Sequence, residues 1–537
     1  MKKNHVPQRI QNINGVLYVY EDHASWDKAT KNAKHIRHYI GKMVNNVFVP
    51  NKKYLLEQEL EAEKEKKPGP IPATVSTREF YGATYLFDQI GEKLGITADI
   101  KASFPDFWKQ LLSIAYYLIL EDKNPLSRFP RWAQNHHHPY GESIPSQRSS
   151  DLFGAITEDA KQKFFLSQAK RRLEKEYLAY DTTSISSYSE LIKQVRYGRN
   201  KDHEPLAQIN LAILFGQSSR LPVYYRKLAG NISDVSTIKH LISDLSFLEI
   251  DKVKLVMDRG FYSEDNINAL FEKHYKFLIG VKKSLRFVRD LLDDVRDSMK
   301  TRACYSSDYG INYYSKTIEW SYKAKKPRLE AIETGTRRVY LHLYFDEHKA
   351  VDDKTVFNSL LDTLEEEIVT NRRTQEHETL YQKYYDISST PVRGTVLVPK
   401  QEAISAVEKN YGYFALMSND IKDPLEALLV YRLKDLGEKA FHNLKERLSM
   451  RRTSVSSEQN LEGKLFVQFL ALIYLSYISK AMSDQKLYKT MTMHELLDEL
   501  DIIECFGYPG HKIHFGEITK KQISLYAALG VEDPSLV

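Results

Sequence analysis

Three acids stand in surroundings that suit a divalent cation. Asp181 sits at the end of an apolar strand, in Tyr180-Asp181-Thr182-Thr183-Ser184, and Asp258 ends another, in Val256-Met257-Asp258-Arg259-Gly260-Phe261. Ligand and catalytic groups gather at strand ends in α/β folds, where the sheet fixes the side chain and a loop leaves it open. Taken singly, either aspartate is more often a turn or cap residue. The pair says more, because two carboxylates on neighbouring strands repel unless something positive lies between them.

The third acid follows from helix geometry. At about 100° of rotation per residue, Tyr431, Lys434, Glu438 and Lys445 project within an arc of roughly 60°. Leu433, Leu436, Ala440, Leu444 and Leu448 take the opposite, core-facing side. One face thus offers a carboxylate flanked by two ammonium groups and a phenol. The carboxylate suits a metal ion, and the lysines and phenol suit nearby phosphates. The same spacing also fits a surface helix with an intrahelical Lys434–Glu438 pair. Gly437 inside that helix costs about 1 kcal/mol of propensity, which hints at the close approach of another group.

The elements that must position these residues read as follows. EYLAYDTTSIS (176–186), AQINLAILFG (207–216) and LPVYYRKLA (221–229) are three strands at hairpin-like spacing. A helix (236–248), the apolar run VKLVMDRG (253–260), a helix (265–273), the strand YKFLIGV (275–281) and a helix (284–295) follow. This alternation predicts a mixed sheet flanked by helices. Residues 300–418 carry strand-like pieces, RRVYLHLYF (337–345) and YGYFALM (411–417), with a helix near 355–370, and read as a β-rich insertion. A long helix is expected from Pro424 to about Arg452, with further helices over 461–505.

Ahead of this core, 14–20 and 46–49 look like strands, and a charged run from Glu57 to Lys67 closes at Pro68-Gly69-Pro70, a linker. Lys2, Lys3, Arg9, Lys28, Lys31, Lys34, Arg37, Lys42, Lys52 and Lys53 face only Glu21, Asp22 and Asp27 in residues 1–55, with Tyr18, Tyr20, Trp26 and Tyr39 interleaved. Such a stretch suits a nucleic-acid surface and equally a small solvated β-domain. Residues 77–175 are mainly helical and could hold a helix-turn-helix, without an identifiable recognition helix. His136-His137-His138, followed by Pro139, reads as a polar loop, with metal binding the lesser alternative. The expected divisions are 1–70, 71–175 (helical, DNA-binding), 176–299 (core, first part), 300–418 (insertion), 419–480 (core, last part) and 481–537 (helical).

Composition limits the classes. A chain of 537 residues exceeds one core, and 42% apolar with 12% aromatic residues suits a folded protein. Its net charge of +6, from 77 basic against 71 acidic residues, says little about partners by itself. Two cysteines, Cys304 and Cys505, argue against a disulfide framework or a thiolate zinc site and fit a reducing cytoplasm. No secretory pattern opens the sequence, and the longest apolar stretch, Leu465 to Ile478, is interrupted by Gln468 and Ser476 and reads as a core helix.

The signature helix resembles a known pattern. Tyr431-(2)-Lys434-(3)-Glu438-(6)-Lys445 is similar to the Tyr-(2)-Arg-(3)-Glu-(6)-Lys signature of bacterial insertion-sequence DDE transposases, with Lys434 where arginine is typical. That departure keeps the charge and loses a guanidinium's bidentate phosphate grip. Asp181-Thr182-Thr183 and Asp258-Arg259-Gly260-Phe261 resemble the family's first and second aspartate motifs. Tyr197-Gly198-Arg199-Asn200-Lys201-Asp202, Gln208, Gly230-Asn231 with Asp234, and Leu461-Glu462-Gly463 are similar too, as are Val19-Tyr20-Glu21 and Trp26-Asp27-Lys28 near the start.

The resemblance implies an α/β, ribonuclease-H-like catalytic core with a β-rich insertion between the second aspartate and the glutamate, plus helical N- and C-terminal regions. It implies two Mg²⁺ ions, with Mn²⁺ able to substitute, roughly 4 Å apart on Asp181, Asp258 and Glu438. Tyr431, Lys434, Lys445 and Arg259 would contact DNA phosphates, and Thr182 and Thr183 would shape a turn beside Asp181. The partners implied are double-stranded DNA, as transposon ends and target, and a second copy in a homodimer on DNA, in a bacterial, nucleoid-associated cytoplasmic setting. A non-catalytic DNA-binding relic and a stand-alone metal-dependent nuclease are the alternatives.

Overall fold

The computed structural model describes residues 8–534 apart from 28–31, 45–46, 65–75, 123, 173–175, 203, 248–252, 326–331, 391–393, 435–441, 449–451, 454, 456 and 509–510. Contacts divide the chain into two units, Met1–Glu79 with Cys505–Gly516 and Phe80–Glu504 with Glu517–Val537.

The first unit holds an antiparallel sheet of Gln8–Ile13, Val16–Asp27, Asn32–Val44 and Val47–Pro50, paired in chain order. Its first hairpin turns at Asn14-Gly15, both at positive φ (52° and 83°), the backbone that a tight hairpin favours. Two of these strands, QRIQNI and the one rich in Lys and His, lack apolar alternation, which is why the sequence marks only 14–20 and 46–49 as strands. A helix, Lys52–Lys64, occupies much of the charged run.

In the second unit the helices Gly82–Leu94 and Trp108–Leu120 lie where the periodicity places them. The histidine tract is not a solvated loop. His136 stacks on Trp132 (4.7 Å between rings) and bonds Asp501, while buried His138 bonds the Ser113 hydroxyl at 2.9 Å. Aromatic packing that no local pattern reveals draws these rings inward.

The centre is one sheet. Its strands are β1 (Leu178–Ser187), β2 (Gln208–Gly216), β3 (Pro222–Ala229), β4 (Lys254–Met257), β5 (Lys276–Val281), β6 (Ile311–Lys325), β7 (Ile332–Phe345), β8 (Tyr413–Ser418) and β9 (Arg452–Thr453). Along the sheet the order is β3-β2-β1-β4-β5-β8-β7-β6, ending on the short strand Tyr305–Ser306, with β9 parallel to the far end of β1. β2 runs antiparallel to β1 and β3, whereas β4 is parallel to both β1 and β5. The 3-2-1-4-5 half is the ribonuclease-H-like arrangement. Helices α1 (Asp234–Phe247), α2 (Glu264–Glu272) and α3 (Arg286–Met299) fill its connections. β6, β7 and β8, all within 300–418, pair with each other and then with β5, so they extend the core sheet. A 23-residue helix, Glu347–Val369, lies in the same stretch.

Helix α4 (Pro424–Arg432) begins as its sequence dictates, with Pro424 in the first turn and the Asp423 carboxylate accepting from the Glu426 amide. It ends sooner than the continuous helix expected to Arg452. Past Arg432 the chain tightens, the Lys434 amide bonding Tyr431 three residues back; residues 443–447 are π-helical, and the parts of the expected helix at 435–441 and 449–451 lie outside the described residues. Helix α5 (Glu458–Asp484) is the one described helix long and apolar enough to cross a membrane, and it is mostly buried inside the protein as a core helix.

Candidate active site

Parallel pairing of β1 with β4 sets Leu178 against Leu255, Ala179 against Val256 and Tyr180 against Met257. Asp181 and Asp258 each follow directly on the last of these pairs, near enough for the Asp258 charge to act on Asp181. The sheet thus makes neighbours of two carboxylates that are far apart in sequence.

Their local settings differ. β4 stops at Met257, and Asp258 caps the short 3-10 turn Arg259–Phe261, its Oδ1 accepting from the Arg259 amide at 2.8 Å. Asp181 is not at a strand end. β1 runs on to Ser187 because β2 keeps pairing on its other flank, Asp181 lying opposite Ile213. The opening beside Asp181 comes from the end of β4. For the same reason Thr182 shapes no turn: it is a strand residue whose hydroxyl donates to Asp234 Oδ1 at 2.5 Å.

Tyr431 and Lys434 converge on Asp258. The Tyr431 hydroxyl donates to Oδ1 at 2.7 Å, and the Lys434 ammonium, 8% exposed, lies 3.9 Å from Oδ2. Gly280 in β5 makes room for this approach, since a β-carbon there would stand 2.8 Å from the Tyr431 hydroxyl and 3.0 Å from the Arg259 amide. Burial by itself would raise the Asp258 carboxyl. The Tyr431 hydrogen bond, the Lys434 charge and Arg259 outweigh it and hold the carboxyl below its usual value. Asp181 goes the other way: burial raises it, Asp258 adds to the rise, and Lys201, the Thr182 amide and Lys434 offset only part.

Two residues without an assigned role in the sequence complete this side. The Lys201 ammonium donates to the Thr182 carbonyl (2.7 Å) and hydroxyl (2.6 Å), and lies 3.8 Å from Asp181 and 3.4 Å from Asp234. Asp234 opens α1 and takes both Thr182 and Lys201. Both belong to motifs visible in the sequence, but only the tertiary fold joins them to Asp181. Lys445 sits elsewhere, its ammonium on both oxygens of Asp202 at 2.7 and 2.6 Å. Arg259 is exposed beside Asp258. Glu438 lies outside the described residues.

The donor set fits hard divalent cations. It consists of two neighbouring carboxylates, the Asp181 carboxyl raised by burial and by the Asp258 charge beyond what the nearby lysines offset. Asp181 and Asp258 would hold such an ion.

The family model for the transposase DDE domain matches residues 172–474. No curated protein matches the chain. Among solved structures, a piggyBac transposase synaptic complex with hairpin DNA is similar over 82% of this chain and 74% of that one, at 12% identity and a TM-score of 0.31.

Proposed function

This chain belongs to the transposase DDE domain family, and from that premise we propose that it is the transposase of an insertion sequence. In this reading it binds transposon ends as a homodimer, cuts phosphodiester bonds to free 3′-hydroxyl ends and joins these to target DNA. The observation that carries the reading is the register of β1 on β4, which makes Asp181 and Asp258 adjacent, with Tyr431 and Lys434 gathered on the second of them.

Each residue then has a task. Asp181, Asp258 and Glu438 would hold two Mg²⁺ ions, for which Mn²⁺ could substitute. Such ions, when bound, activate the attacking water and stabilise the leaving 3′ oxygen. Tyr431 orients Asp258 through its hydrogen bond. Lys434, Arg259 and Lys445 bring positive charge to the phosphates, Lys445 on release from Asp202. The chemistry needs no covalent protein–DNA intermediate, so Tyr180, Ser184 and Tyr431 serve without acting as nucleophiles.

The test is cleavage of DNA carrying the element's ends by the purified chain with Mg²⁺. Asp181→Asn, Asp258→Asn and Glu438→Gln are each expected to abolish cleavage while retaining DNA binding. Cleavage at the wild-type rate by Glu438→Gln would remove that residue from the site. Cutting without joining of the freed 3′ end to a second duplex would reduce the protein to a nuclease.

A further inference from the structure

The segment after β1 carries exposed rings and cations that the acid site does not use. Tyr188, Leu191 and Tyr197 are 65%, 78% and 76% exposed, and Lys193, Arg196 and Arg199 are exposed between and beside them. Single exposed apolar residues are ordinary; three within ten positions, interleaved with cations, are not.

The backbone beneath them is fixed. Ile192 and Val195 are buried. Arg196 and Gln208 exchange two backbone hydrogen bonds of 2.9 Å, and the Gly230 amide donates to the Gln194 carbonyl. The Gln208 side chain holds the Arg199 carbonyl at 3.1 Å. Gly198 lies so close to Gly230 that a β-carbon would stand 2.0 Å from its carbonyl oxygen. The segment therefore presents its side chains from a braced loop.

Its charge is also unbalanced in a definite way. Asp202 is taken by Lys445, and Glu204 by Arg452. Among the described residues, Lys193, Arg196 and Arg199 have no comparable acid partner. Glu190 is the segment's remaining acid. The segment runs straight into the acid site: Asn200 bonds Ser186 and the Lys201 amide bonds Ser184, both on β1, while the Lys201 side chain reaches Asp181.

We infer that Lys193–Arg199 is a DNA-binding surface that carries the duplex next to the acid site, with Arg196 and Arg199 on phosphates and the Tyr197 ring against a sugar or base face. Unneutralised guanidinium groups with exposed aromatic rings suit a polyanion that offers flat apolar faces. A braced loop loses little freedom on binding. The inference rests on the transposase reading and assigns it a contact surface on this chain.

The experiment is anisotropy titration of a short labelled duplex of mixed sequence against the full chain, without divalent metal, over a range of salt concentrations. Arg196→Ala/Arg199→Ala is expected to weaken binding about tenfold or more and to flatten the salt dependence by roughly two phosphate contacts. Tyr197→Ala is expected to weaken binding about fivefold with the salt slope unchanged. Circular dichroism would verify folding, which these exposed positions should not disturb. If wild type binds the duplex and all variants match it in affinity and slope, the surface assignment falls and the transposase reading stands. If wild type does not bind DNA at all, both fall.

Discussion

The hydroxyl of Tyr431 donates to Oδ1 of Asp258 across 2.7 Å, joining residues 173 positions apart. This bond fixes the carboxylate's rotamer and favours its charged form. A hydrogen bond to a charged group contributes about 1.5–3 kcal/mol. Tyr431→Phe should therefore slow single-turnover DNA cleavage about 10- to 100-fold while leaving duplex affinity within about twofold. An unchanged cleavage rate would show that Asp258 is held in place without the phenol.

That bond depends on the bare α-carbon of Gly280. A methyl group there would meet the Tyr431 hydroxyl at 2.8 Å and the Arg259 amide at 3.0 Å. The hydroxyl can retreat, whereas the Arg259 amide, bonded to Asp258 Oδ1 at the start of its 3-10 turn, has less room to move. Gly280→Ala should cost about 1–3 kcal/mol of stability as overpacking and should cut activity at least as far as Tyr431→Phe. Because both changes break one contact, the double variant should cleave no more slowly than Gly280→Ala alone. Additive losses in that cycle would separate the glycine from the tyrosine.

These details show which parts of the site the sequence exposes. Apolar runs before Asp181 and Asp258 mark β1 and β4, and the spacing that groups Tyr431 with Lys434 picks out two residues that both reach Asp258, Lys434 from the turn just past the end of α4. The part played by the second half of β1 is harder to read. The strand read over 176–186 does continue past Asp181, so Thr182 and Thr183 shape no turn there; the strand stays buried because Thr182 finds Asp234 and Ser184 and Ser186 find the loop at 200–201. Lys201 and Asp234 join Asp181 only through a loop and a helix N-terminus packed on β1, which no local periodicity encodes. Gly280 was legible in principle, since a glycine inside an apolar strand signals close approach of another group.

His342 in β7 couples the fold to acid. It is fully buried, with Nδ1 2.9 Å from the Ser315 hydroxyl and Nε2 3.1 Å from the Ile421 carbonyl. That carbonyl can only accept, so Nε2 donates to it and Nδ1 accepts from Ser315. Burial lowers the imidazole from its ordinary 6.5 to about 4. Below pH 6.5 the unfolded chain takes up a proton that the folded protein refuses. The stability is thus complete above pH 6.5 and lost as pH falls through about 4, by about 3 kcal/mol for this group. His342→Gln can keep both hydrogen bonds without titrating. Urea unfolding from pH 7 to pH 4 should therefore show a shallower decline for the variant by about that amount; parallel curves would place the acid sensitivity elsewhere.

Lys445 and Asp202 pin the π-helical turn to the loop after β1. The ammonium is 11% exposed and the carboxylate 22% exposed, and the pair closes at 2.6–2.7 Å. Breaking such a pair strands a charge that water reaches poorly, which costs more than the loss of a surface ion pair, worth about 0–1 kcal/mol. Asp202→Asn and Lys445→Met should each destabilise by about 1–3 kcal/mol, and the double variant by clearly less than their sum. The two halves diverge in function. Asp202→Asn leaves the lysine for phosphates and should preserve or raise DNA affinity, whereas Lys445→Met should lower it and flatten its salt dependence by about one contact. Equal losses of affinity in both variants would mean that the pair only holds the turn, with Lys445 taking no phosphate.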